Sequence, residues 1–238
     1  MKQTTHTQYL ASLSCPAKGA GRRAFLHAIT AGLAGVPFVL HAAEGGGGGH
    51  VPLPTSEDAR PAEGIDLGSG DTGILNYAYL LESLEAEYYT LVMKNPYAGM
   101  SKDEAHVLAD IRDHEIVHRE FFRHVLGKNA IPRPQFTFAK VNFADRTSVL
   151  TTARTFEDLG VAAYNGAGAS VKDPNVLVTA GKIVSVEARH AAVLRGLLNP
   201  GSHTFAPTGF DDQEGSASVL RKAKPYLVTP VNASHLPC

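Results

Sequence analysis

The chain has 238 residues, 44% hydrophobic and 19% charged, which is enough apolar material for one domain or two small ones. Its 22 Lys and Arg against 23 Asp and Glu leave a formal net charge of −1, without the basic excess of a nucleic-acid-binding protein. No disulfide framework can be read from the two cysteines, Cys15 and Cys238.

Residues 1–43 have the pattern of an export signal, which is set aside before any reasoning about fold. A polar stretch containing Lys2 and Lys18 leads to Arg22 and Arg23, followed by a weakly apolar run from Ala24 to Leu40 and small residues at Ala42 and Ala43. Paired arginines before such a run resemble a twin-arginine signal and imply a periplasmic destination, although Gly21 stands where Ser or Thr is usual and His27 where Lys is usual. An ordinary secretory leader or an uncleaved anchor is the alternative. Cleavage after Ala43 would remove four basic residues and no acid, leaving 195 residues with a formal charge of −5. Residues 44–70, with Gly45 to Gly49 and Pro52, Pro54 and Pro61, read as a flexible, unstructured arm.

Helical spacing begins at Asp71, which is placed to cap a first helix running to about Met93, with Leu75, Ala78, Leu81, Leu84 and Tyr88 on one face. Asn95, Pro96 and Gly99 end it. Ser101 with Glu104 forms a capping box that opens a second helix to Leu126, stopped by Gly127. Residues 128–144 lack a helical period and contain Pro132 and Pro134, so they form a long connection; Gln135 to Val141 could be extended but has no evident partner. A third helix spans about Asp145 to Ser170, and Asp173 with Pro174 opens a fourth that ends before Pro200. Residues 201–238 are a tail. The expected fold is all-α, a four-helix bundle over residues 71–200 with short first and third connections and one long crossover.

The two halves of that bundle match. The first helix reads Glu82, Leu84, Tyr89 and the third Glu157, Leu159, Tyr164 at the same spacing, while the second carries Glu115 and His118 and the fourth Glu187 and His190. Residues three apart share a helix face, so each Glu-x-x-His can aim two ligands at one point. Leu108, Ile111, Phe122, Val125 and in part Val117 flank that face in the second helix, and Ile183, Val186, Val193, Leu194 and Leu197 do so in the fourth, which turns the ligand face toward the core. Burying Glu82, Glu115, Glu157 and Glu187 as bare carboxylates would be strongly unfavourable, whereas two divalent cations balance the four charges. With 12 Glu and 11 His, about 0.5 Glu-x-x-His matches are expected by chance. Two matches on corresponding helices, each preceded by a helix with a core-facing Glu, exceed that expectation.

This constellation resembles the ferritin-like superfamily, specifically exported ferritin-like proteins related to plant desiccation-related proteins. The resemblance covers about Asp71 to Pro200 and extends to Val219 to Leu227, which looks like the family's closing segment. It implies that Glu82 and Glu157 are terminal ligands, that Glu115 and Glu187 bridge two metals, and that His118 and His190 supply one nitrogen to each. Glu85, one turn from Glu82, could replace or supplement it, but the register between the halves favours Glu82. Tyr89 and Tyr164 are either hydrogen-bond donors behind the ligands or ordinary core. His114 and His118 form an i, i+4 pair that could bind metal without Glu115, but the fourth helix has no counterpart. His106, His124, Glu87 and Glu120 read as surface, and no acidic partner is evident for the second nitrogen of His118 or His190.

Carboxylate-rich sites with one imidazole per metal suit two Fe or Mn ions and redox chemistry with O2 or peroxide, of the ferroxidase, peroxidase or catalase kind. The ligands do not choose among these, and no catalytic residue is assigned beyond the metal ligands. The alternative is a non-catalytic protective or structural protein. Expected partners are the metal ions and the oxidant, with no nucleic acid; a homo-oligomer is compatible with the bundle, and iron storage is disfavoured because the tail offers no evident shell-forming helix.

Overall fold

The computed structural model describes residues 64–236. The export signal expected over residues 1–43, most of the arm and Cys238 lie outside the described residues. Four long helices follow in chain order, α1 (Gly70–Lys94), α2 (Lys102–Leu126), α3 (Arg146–Gly168) and α4 (Pro174–Leu198), then a short α5 (Ser216–Ala223) in the tail. Two-residue strands β1 (Ile65–Asp66) and β2 (Val231–Asn232) pair in parallel.

Short connections fold α1 against α2 and α3 against α4 as two hairpins, and these meet through α1 with α3 and α2 with α4. Local chemistry sets most of the ends. Ser101 Oγ accepts from Glu104 N at 3.1 Å while the Glu104 carboxylate accepts from Ser101 N at 3.3 Å, the reciprocal box expected for α2. Asp145 caps α3 by accepting from Ser148 N, and Asp173 caps α4 by accepting from Asn175 N, with Pro174 in the first turn. Glu104 also pairs with Arg146, whose guanidinium donates to the Leu197 carbonyl at 2.7 Å, so one arginine at the start of α3 ties it to α2 and α4.

Several expectations are corrected. Asp71 does not cap α1: Ser69 holds the cap position, and the Asp71 carboxylate instead accepts from Lys172 N at 2.9 Å and Asp173 N at 2.7 Å, fixing the entrance to α4. These two bonds hold its pKa below the usual carboxylate value. The arm is not unstructured to its end, since Ile65 N donates to Pro230 O and Leu67 N to Asn232 O. The extended segment in the crossover has a partner, the tail: Phe136 bridges Leu227 antiparallel, and Thr137 N donates to Tyr226 O at 2.9 Å. Val117, Val125 and Val193 are exposed, so the core stripes of α2 and α4 are narrower than expected, carried by Leu108, Ile111, Phe122, Ile183 and Leu194.

The middle of helix α1 is buried all round. Every residue from Asn76 to Ala86 is buried, because the crossover and tail cover the faces that the other helices leave open. Asn76, 3% exposed, secures this arrangement: its amide donates to Leu67 O and Asn129 O, both at 3.1 Å, and its oxygen accepts from Ile131 N at 3.0 Å. The tail crosses α3 at Gly166, where any Cβ would lie 1.9 Å from the Glu214 carbonyl oxygen. Only glycine admits that approach. Glu214 N then donates to Ala162 O, and Tyr226 packs edge-on to Phe156 at 4.7 Å within an aromatic cluster that includes Tyr88, Phe138 and Phe143.

Candidate metal centre

All six predicted side chains converge between the two hairpins, none more than 8% exposed. They form two overlapping groups whose potential ligand atoms lie within 4.8 Å of one another: Glu82, Glu115, His118 and Glu187 in one, and Glu115, Glu157, Glu187 and His190 in the other. Glu115 and Glu187 belong to both. Glu85 belongs to neither, although it is buried nearby.

The geometry repeats across the halves. Nδ1 of His118 faces Glu187 at 2.9 Å, Glu82 at 3.3 Å and Glu115 at 3.4 Å, and Nδ1 of His190 faces Glu115 at 2.9 Å, Glu157 at 3.1 Å and Glu187 at 3.7 Å. Tyrosines brace the outer carboxylates from the opposite half. Tyr89 on α1 donates to Glu157 Oε1 on α3 at 2.5 Å, and Tyr164 on α3 donates to Glu82 Oε1 on α1. Each outer glutamate is thus held by one oxygen and presents the other to a histidine.

Second nitrogens distinguish the halves. His190 Nε2 shares a hydrogen bond with Nδ1 of His114 at 2.9 Å, the two rings nearly parallel with centroids 5.2 Å apart. His114 therefore does not join His118 in a ligand pair, and the partner missing for His190 is an imidazole on α2, not an acid. Sequence spacing relates His114 to its own helix, whereas the contact is with a residue of α4. The surface residues behave as expected: His106 and His124 are exposed, Glu87 pairs with Arg133, and Glu120 pairs with Arg119 and Arg123.

Electrostatics in the centre are those of anions out of water. Burial raises Glu82 and Glu157 well above the usual carboxylate range, and the charges of Glu187 on the first and Glu115 on the second add to it. Burial pushes His118 and His190 down, but the three carboxylates around each outweigh it and raise both to about 12. Burial likewise disfavours the Glu187 anion, yet the imidazoles of His118 and His190 beside it hold it at about 2. Without metal, then, the centre favours protonated imidazoles beside the Glu187 anion. Both oxygens of Glu115 and of Glu187, Glu82 Oε2 and His118 Nδ1 are buried without a hydrogen-bond partner. That is the donor set a pair of cations would satisfy, and these groups could hold metal ions.

An apolar cavity of about 270 Å³ has Leu81, Phe122, Ala163 and Tyr164 among its lining, with the exposed Val125 and Asn175. It meets the centre at Tyr164, whose hydroxyl reaches Glu82.

A sequence model of the family described as ferritin-like domain matches residues 70–200, more than half of the chain and the four long helices. No curated protein matches the chain.

Proposed function

The chain belongs to the ferritin-like domain family, and on that premise we propose that it is an exported protein holding two iron or manganese ions for redox chemistry with O2 or peroxide. The observation that carries this reading is the overlap of two buried donor groups on Glu115 and Glu187, with unpartnered oxygens facing inward. Bound there, such ions would supply exchange between divalent and trivalent states. Glu115 and Glu187 would serve both ions, and Glu82 with His118 and Glu157 with His190 would complete one set each.

The remaining residues position these donors. Tyr89 and Tyr164 fix the outer carboxylates, and His114 sets the ring of His190, which leaves Nδ1 directed at the carboxylates. Burial of all six donors keeps bulk water away from them. The cavity shares Tyr164 with the centre, and its apolar lining suits O2 more than a polar oxidant.

Purified protein loaded with Fe(II) or Mn(II) should hold close to two ions per chain by elemental analysis, and Glu115→Ala with Glu187→Ala should hold none. Peroxide consumption and O2 uptake by the loaded protein should exceed those of the double variant. Equal rates would remove the redox reading and leave a non-catalytic protective role. Export is tested by Arg22→Lys with Arg23→Lys, which should abolish periplasmic accumulation if the twin-arginine route is used.

A further inference from the structure

Beside the donor groups, the match between the halves fails at Glu85. In the alignment that places Glu82 on Glu157, Leu84 on Leu159 and Tyr89 on Tyr164, Glu85 falls on Gly160. Glu85 is 4% exposed, yet it stands in neither donor group. Its carboxylate lies over Gly160: a Cβ built there would be 3.2 Å from Glu85 Oε1 and 3.9 Å from Glu187 Oε2. One glycine thus opens the space in which the fifth carboxylate approaches a residue shared by both donor groups.

The glycine has a cost that this space offsets. Inside a helix Gly is less favourable than Ala, and Gly160 is followed by Val161, Ala162 and Ala163, where side chains are accommodated. The charge count points the same way. Four carboxylates balance two divalent ions, whereas two trivalent ions carry two further positive charges; a fifth carboxylate offsets one of them.

We propose that Glu85 serves the metal pair as a fifth carboxylate, seated beside Glu187 in the space left by Gly160, and that it favours the more oxidised state of the ions. This rests on the di-metal reading above. Its role is to position negative charge at the ions, so its test is a potential and a spectrum as well as a rate.

The experiment uses the full chain, loaded with Fe(II) or Mn(II) without oxygen, and compares wild type with Glu85→Gln and Gly160→Ala. Metal content and reduction potential are measured, together with the absorption or paramagnetic resonance spectrum of the oxidised form. Both variants should retain metal. In Glu85→Gln the oxidised form should be disfavoured at least tenfold, a rise in one-electron potential of about 59 mV. Gly160→Ala keeps the charge but displaces it, and should move the potential in the same direction by less, with a changed spectrum. Two ions in every protein with unaltered potentials and spectra would overturn the role of Glu85 and leave the di-metal reading standing. A wild-type chain that takes up no metal would overturn both.

Discussion

The first hairpin, α1 with α2, and the second, α3 with α4, carry the same pattern of three donors but differ in what surrounds it. Glu82, Glu115 and His118 repeat as Glu157, Glu187 and His190, and the bracing tyrosines Tyr89 and Tyr164 repeat with them. Next to the donors, the first hairpin has Glu85 where the second has Gly160, and His114 where the second has Val186. Both additions act across the bundle, Glu85 toward Gly160 and Glu187 on the second hairpin and His114 on His190. The repeated residues therefore form the donor set, and the unrepeated ones make its two ends unequal.

The comparison can be broken most severely at the shared residues. Glu115→Ala with Glu187→Ala removes donors from both groups and should take metal from two ions per chain to background, whereas Glu82→Ala or Glu157→Ala alone should leave one ion. If either outer variant loses both ions, the halves are not separate half-sites. Proton competition tests both halves together. Because metal-free His118 and His190 are raised to about 12 and Glu82 and Glu157 are raised as well, uptake must displace protons, so affinity should climb with pH and fall on acidification. Calorimetry in buffers of different ionisation enthalpy counts the protons released, and a pH-independent affinity would contradict this account.

Smaller changes sharpen the contrast between the ends. Tyr89→Phe and Tyr164→Phe remove equivalent braces, and each should weaken metal binding by roughly tenfold, to a similar extent. His114→Ala should weaken only the ion next to His190, visible as two unequal affinities in a titration where the wild type shows closer ones. The smallest effect concerns the framework. The Glu104 carboxyl is partly desolvated, but its bonds to Arg146 and Ser101 hold its pKa below the ordinary value. The stability it contributes is present above the unfolded-state pKa and is lost as pH falls through the lowered one. Glu104→Gln should lower the melting temperature at pH 7, and the difference from wild type should shrink toward pH 3.

Much of this protein was legible in the order of its residues, because the relevant signals are short-range. Caps at Ser101, Asp145 and Asp173, the stop at Gly127 and the spacing of Glu115 with His118 and Glu187 with His190 operate within one or two helical turns. The repeat placed the outer glutamates as well, preferring Glu82 to Glu85 by register alone. Tertiary structure decided what depends on partners distant in the chain: Asp71 serving α4, Asn76 fastening the crossover, Gln135 and Phe136 meeting the tail, and His114 turning to His190. It also showed that Gly160 and Gly166 open space in α3, the first for a carboxylate and the second for the tail backbone. A helix's own periodicity states which residues share a face. Only packing states what that face meets, and here it brings four carboxylates and two imidazoles into two overlapping buried groups.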